Sequence, residues 1–225
     1  MKHVMVCISG FSGTGKDEIA KRLWSKHNAT QANLVDPAKR HVMDLYGFTE
    51  DQVFGPSESR NSGDDRYVRS DGTLLTPREA LQKYCALMQD MYECTWVSKA
   101  VYVHHKIASG EYTYSRVTGL IKLSGYQLPS KDVVITCASD FRHKHEMNYV
   151  RGIDFLTPVI LRVKRPEIEE PPYDHRSETE QATIPDSAFD AVINNDSTIN
   201  DLGFAVDEII SAVLSGVIVP SRERV

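Results

Sequence analysis

The apolar run Val4-Met5-Val6-Cys7-Ile8 leads directly into Ser9-Gly10-Phe11-Ser12-Gly13-Thr14-Gly15-Lys16, and Glu18 through Trp24 then follow with helical spacing. A strand, a glycine-rich turn and a helix in that order leave few folds open. Gly10, Gly13 and Gly15 clear the loop of Cβ atoms, so that backbone N–H groups can turn inward around an anion. Lys16 adds a point charge, and the helix behind it directs its positive dipole end at the same place. In this context Gly-x4-Gly-Lys reads as a phosphate-binding P-loop; without the context it is a glycine-rich turn with a surface lysine. The residues expected to meet a bound nucleotide are Ser12, Gly13, Thr14, Gly15, Lys16, Asp17 and Glu18.

One position departs from the usual pattern. The residue after the loop lysine commonly carries a hydroxyl for Mg²⁺, whereas this chain has Asp17 and then Glu18. Asp17 can hold the metal directly or through water, or it can be a first-turn acid favoured by the helix dipole. The metal role is the expectation taken forward.

Strand candidates at 3–9, 33–36, 132–138, 157–163 and 190–194 alternate with helical patterns at 15–26, 37–46, 77–108, 143–151 and 199–214. That alternation predicts a parallel sheet covered on both faces, a three-layer α/β/α fold. The 77–108 stretch opens with Thr76-Pro77 as a cap and first helical residue, and it is long enough to be two helices. At 225 residues, the chain fits a single domain with insertions. Two segments interrupt the alternation: the polar, glycine-rich 48–76, which carries Arg60, Arg66 and Arg69, and the proline- and charge-rich 165–187. In such a fold, excursions of this kind bind a second substrate or close as a lid, or they are surface loops.

The net charge of −5 gives no general reason for nucleic-acid or membrane binding. No apolar run reaches the length of a membrane span, and the N-terminal run is too short for a signal peptide. Cys7, Cys85, Cys94 and Cys137 are scattered and read as reduced cytoplasmic thiols.

After the apolar Val133-Val134-Ile135-Thr136-Cys137 comes Asp140-Phe141-Arg142-His143-Lys144-His145-Glu146. Ligands of open α/β sheets bind beyond the carboxyl ends of strands, so this set is expected in the P-loop crevice, holding metal water, phosphate or sugar. A surface ion network at a helix start is the plainer alternative. His143/His145 and His104/His105 lack the partners and spacing of a zinc site and read as solvated or helix-packing histidines.

These blocks together resemble the phage-type deoxynucleoside monophosphate kinases. The likeness rests on the Gly-x4-Gly-Lys-Asp loop, Asp36-Pro37-Ala38-Lys39, Gly47 through Asn61, Arg78-x-x-Leu81-Gln82, Trp96-Val97 and Asp140-x-Arg142-x-x-His145-Glu146-Met147. Arg165-Pro166, His175-x-Ser177-Glu178 and Ile193-Asn194-Asn195-Asp196 complete it, in order along nearly the whole chain. The resemblance implies transfer of the γ-phosphoryl group of ATP, with Mg²⁺, to a deoxynucleoside 5′-monophosphate in the cytoplasm, that of the host if the protein is phage-encoded. It implies one P-loop kinase domain over 1–225, with a monophosphate-binding insertion at about 37–130 and a lid at about 165–187. Small molecules would be its partners, a homodimer its assembly, and nucleic acid and membrane would play no part. By the same carry-over Lys16, Arg142, Arg165 and Arg176 are the expected catalytic residues and Asp17 the metal ligand. Lys39, Arg66, Arg69, Arg78, Trp96, Asp140, Arg142 and Glu146 are the expected acceptor residues. Glu18 and Cys85 stand where the family tends to have threonine and glycine. A kinase of another small metabolite and a nucleotide-dependent switch protein are the competing readings.

Overall fold

The chain is described by a computed structural model over residues 2–124, 132–168 and 176–225, the side chains of 176–178 excepted. Its elements run β1 (Lys2–Ser9), α1 (Lys16–His27), β2 (Thr30–Gln31), α2 (Asp36–Tyr46), α3 (Glu50–Phe54), α4 (Ser57–Asn61), β3 (Asp64–Val68), β4 (Leu74–Leu75) and α5 (Pro77–Met91). They continue α6 (Thr95–Ala108), β5 (Tyr112–Ser115), β6 (Gly119–Lys122), β7 (Val133–Ala138), α7 (Lys144–Arg151), β8 (Thr157–Lys164), α8 (Arg176–Ala182), β9 (Ala191–Asn194) and α9 (Ile199–Ser215).

Five strands form one sheet in the order β2-β7-β1-β8-β9, and every pairing in it is parallel. The central β1 is buried on both faces, and its side chains alternate between two cores with the period of a strand. Val4, Val6 and Ile8 pack with Ile19 and Leu23 of α1 and with Val206 and Ile210 of α9. Met5 and Cys7 pack on the other side with Val97 of α6, Phe141 and Met147 of α7. The result is three layers, α/β/α. Because all five strands point the same way, their carboxyl ends share one edge, and the loops that leave them meet there.

The sequence expectation of a strand at 33–36 is corrected. The edge strand is the two-residue Thr30–Gln31, paired with Thr136 and Cys137. Asn33 to Val35 form a turn instead, because the Asp36 carboxylate accepts from Asn33 N at 3.0 Å and draws the chain into α2. The 77–108 region is two helices, broken at Tyr92–Cys94. Between β2 and β7 the insertion builds a small core of its own from Val42, Phe48, Val53 and Ala80. Segment 48–76 is more regular than its composition suggests: a Thr49/Gln52 capping box starts α3, and β3 and β4 pair antiparallel.

The outer helices α1 and α9 are pinned by Asp207, which accepts from Arg22 at 2.6 Å and Lys26 at 2.7 Å and lies 2.7 Å from His27 Nε2. The Arg22 hydrogen bonds hold its carboxyl well below the usual carboxylate range. A depressed folded pKa contributes stability above the unfolded value of about 3.9, and that contribution is lost as pH falls through the folded value. Asp207→Asn should therefore lower Tm at pH 7 by roughly 4–8 °C, the effect of about 2 kcal/mol in a chain this long. The gap between wild type and variant should close in strongly acidic buffer. Thermal melts across pH check this, and a gap that widens with acid refutes it.

Candidate nucleotide and acceptor site

At the carboxyl end of β1 the glycine positions are set by close approach. A Cβ on Gly10, at φ +146°, would lie 2.4 Å from the Val163 carbonyl oxygen, so β8 leaves room only for hydrogen. Gly15, at φ +103°, caps α1, and a Cβ there would meet Asn195 Nδ2 at 2.7 Å. That same amide donates to Thr14 O at 3.0 Å, tying the loop to the chain after β9. Gln181 of α8 holds the other end: its Oε1 accepts from Gly10 N at 2.6 Å and from Ser9 Oγ at 2.7 Å. Lys16 is buried, and its Nζ donates to Phe11 O at 2.6 Å, while Thr14 Oγ1 donates to the same oxygen at 2.9 Å. The loop is thus curled on itself, with its ammonium inside the curl.

Beside the loop opens a cavity of about 440 Å³, lined among others by Gly10, Phe11, Arg165, Pro166, Ile168 and Asn194. It lies within the usual size of small-ligand sites. Asp17 is exposed at the loop mouth, and its Oδ1 accepts from Ser139 Oγ at 3.0 Å, at the end of β7. A carboxylate and a hydroxyl are the hard oxygen donors that Mg²⁺ takes, and the glycine cradle with its lysine suits a polyphosphate. Glu18 points elsewhere, pairing with Lys21 at 2.6 Å on the surface of α1.

Across the crevice the insertion gathers positive charge. Lys39 of α2 is 9% exposed, and its ammonium sits 4.7 Å over the Phe54 ring, with no hydrogen-bond or ion-pair partner among the described residues. Burial lowers its pKa, and the neighbouring Arg116 charge acts the same way, while the charges of Asp36 and Asp140 oppose it. Arg116, in the turn between β5 and β6, shares the Phe54 ring at 5.6 Å. Its Nε and Nη2 grip the fully buried Asp36 at 3.1–3.2 Å, so that Nη1 is left without a described acceptor. The charges of Asp140 and Asp17 also reach Arg116. Arg60 and Arg78 converge, each with Nη2 3.2 Å from Ser57 Oγ. Burial raises the Asp36 pKa against the pull of Arg116, and burial pushes Tyr114, whose hydroxyl donates to Asp36, up to about 12.

Several residues expected at the acceptor are spent on structure. Asp140 accepts from Leu34 N at 2.9 Å and Val35 N at 3.2 Å, fixing the turn before α2. Glu146 is buried and accepts from the backbone of Arg142 and His143 as the capping-box acid of α7. Burial pushes Glu146 up to about 8, against those two backbone donors. Trp96 is buried, donating its indole N–H to Cys85 O at 3.3 Å and tilted against Tyr84. Arg66 is paired with Asp64 at 2.7 Å, and Arg69 with Glu79. Arg165 pairs with Glu167 at 3.0 Å on the cavity rim. Arg142 borders the crevice through the turn before α7, its backbone held by Glu146. Arg176 begins α8, but its side chain and all of His175 fall outside the described residues, as do the side chains of Ser177 and Glu178. His104 packs in the core, 2.8 Å from Thr136 Oγ1, with its pKa driven down to about 3 by burial. Arg116 was not expected. Its only sequence signal is the short Tyr-Thr-Tyr-Ser strand before it, and its partner Asp36 lies 80 residues away.

Fold and crevice define an α/β protein with a glycine-rich loop at the end of its central strand and a cluster of basic side chains on its insertion. No family model matches the chain. It is 24% identical over 219 residues to a protein of Acanthamoeba polyphaga mimivirus provisionally named a deoxynucleotide monophosphate kinase, covering 93% of this chain and 96% of that one. Among solved structures it is similar to a protein of Chloroflexus aurantiacus provisionally described as a kinase, at 12% identity and a TM-score of 0.42, covering 96% of this chain and 99% of that one. It is also similar to the shikimate kinase of Aquifex aeolicus, at 12% identity and a TM-score of 0.39, with coverages of 95% and 98%. No helix among the described residues is long and apolar enough to cross a membrane.

Proposed function

We propose that the chain transfers the γ-phosphoryl group of ATP to a deoxynucleoside 5′-monophosphate. The observation that carries the acceptor half is Lys39: a buried ammonium beside Arg116 that no described carboxylate meets at ion-pair distance, although the charges of Asp36 and Asp140 reach it. A buried cation without a direct ion-pair partner is costly, and an incoming phosphate dianion would lower that cost. Arg60 and Arg78, converging on one hydroxyl, extend the same surface. The nucleotide and deoxy parts of the reading rest on the motif resemblance and on the name of the mimivirus relative.

In this reading Lys16 leaves Phe11 O for the β- and γ-phosphates, a stronger acceptor for an ammonium than a neutral carbonyl. The loop amides fix the donor, and Lys39 with Arg116 fixes the acceptor, so that the barrier falls by alignment and charge stabilisation. Asp17 and Ser139 would hold Mg²⁺, which when bound offsets the charge on the phosphate oxygens. The base and ribose of ATP would fill the cavity between the loop and Arg165–Ile168. Arg165 opens the proposed lid at about 165–187, and Arg176 lies within it.

A coupled ADP-release assay tests this, with ATP, Mg²⁺ and dTMP, dGMP, dCMP, dAMP or a ribonucleotide offered singly. Turnover with one or more deoxynucleotides well above the ATP-only background is expected. Silence with all of them, together with turnover of a phosphorylated or acidic metabolite, would replace the acceptor while keeping the donor half. ATP binding without turnover of any acceptor would favour a switch protein.

A further inference from the structure

His143 and His145, two residues apart at the start of α7, come together with Glu180 of α8. His143 is the N-cap of α7, with extended backbone (φ −118°, ψ 148°). Within a regular helix, side chains two residues apart face away from each other. Because His143 lies just outside the helix, its ring stacks on that of His145 instead, with centroids 5.1 Å apart and planes 13° from parallel. Glu180 then comes in from α8, its Oε2 2.9 Å from His143 Nδ1. One donor atom from each of the three residues lies within 4.8 Å of the others, and His145 Nε2 is shielded from solvent.

We infer that these three residues form a binding site for a divalent transition-metal ion of the zinc type, and that the ion clamps α8 against the phosphate loop. Two imidazoles and one carboxylate are a donor set for borderline ions, for which Zn²⁺ is the common case, whereas Mg²⁺ prefers oxygen alone. Ligand atoms on a bound zinc lie about 3.4 Å apart for bonds near 2.1 Å, so the present spacing closes with small side-chain rotations. The site has a direct line to the loop. Glu180 is followed by Gln181, whose buried side chain holds Ser9 and Gly10, and whose carbonyl accepts from Arg162 at 2.8 Å. An ion that fixes Glu180 to the β7–α7 turn therefore fixes the residue that anchors the first glycine of the loop. Binding at both places would be coupled through this two-residue link.

The decisive experiment titrates untagged, chelator-stripped full-length protein with Zn²⁺ against a chromophoric chelator. Uptake of one equivalent is expected, with affinity reduced at least about tenfold in both His145→Asn and Glu180→Gln, since even outer-shell partners of a metal cost 10–100-fold when lost. Lys144→Ala should bind as wild type. Should a variant fold poorly, the wild type still decides: its Tm should rise with equimolar Zn²⁺ and return on chelation. No uptake, uptake indifferent to both variants, or a Tm unmoved by Zn²⁺ would leave a His–Glu ion pair and overturn the site. For the clamp, ADP affinity measured without Mg²⁺ should differ at least about threefold between stripped and zinc-loaded wild type, and not in Glu180→Gln. Equal affinities in the wild type would overturn the coupling. Zinc uptake and Tm need neither nucleotide nor phosphoryl transfer and stand apart from the kinase reading. The ADP comparison rests on nucleotide binding at the loop, and an absence of ADP binding would count against that reading and not against the metal site.

Discussion

Replacing Lys16 by methionine should lower turnover about 10²–10³-fold with every acceptor, the scale seen when a preorganised charge-stabilising donor is lost. The reason lies in the curl of the loop. Lys16 is buried and held at 2.6 Å from Phe11 O, so its ammonium is already folded back onto the loop. Methionine keeps most of the stem and removes the charge together with the hydrogen bond to Phe11 O. Arginine should not restore activity, because the planar fork is wider than the curl that Thr14 and Lys16 close on one carbonyl. Steady-state rates with saturating ATP and the best acceptor decide the matter. Turnover within about threefold of wild type would remove Lys16 from the chemistry and with it the P-loop reading.

Local signals carried the proposed donor side of this site, and long-range contacts hid the proposed acceptor side. The loop was legible because everything that makes it work is contiguous: the strand Lys2–Ser9, the glycines and the helix dipole behind Lys16. The sheet was legible for a similar reason, since strands buried on both faces read as apolar runs. The edge strand failed because Thr30–Gln31 is two residues long, and the more apolar Leu34-Val35 beside it lies in a turn held by Asp36 and Asp140. In 48–76 the capping box Thr49/Gln52 and the turn at Asp71-Gly72 were present in the sequence, but the polar composition outweighed them. Trp96 and Asp140 carried the right chemistry at plausible positions; burial in one case and two backbone N–H groups in the other gave them structural work. Arg116 and Glu180 are the converse. Each is an ordinary charged residue until the fold brings it to a partner, Asp36 for one and His143 for the other, at separations that no periodicity encodes.

Arg116 is where the acceptor reading is most exposed to test. Arg116→Met should raise KM for the monophosphate on the order of 10–100-fold, as expected for losing a charged hydrogen bond to phosphate, with KM for ATP nearly unchanged. A structural cost comes with it, because Asp36 is fully buried and loses the guanidinium that offsets its burial. The two effects separate by a second substitution. In Arg116→Met with Asp36→Asn, the uncompensated carboxylate is gone, so Tm should recover toward wild type while the acceptor KM stays high. If KM recovers together with Tm, Arg116 serves only to satisfy Asp36 and position α2, and the phosphate contact falls to Lys39, Arg60 and Arg78. Arg116→Lys discriminates further: a single ammonium cannot both grip Asp36 through two nitrogens and present a third to solvent, as Arg116 does with Nε, Nη2 and Nη1. It should therefore hold Asp36 and recover part of the stability, yet leave the acceptor KM close to that of methionine.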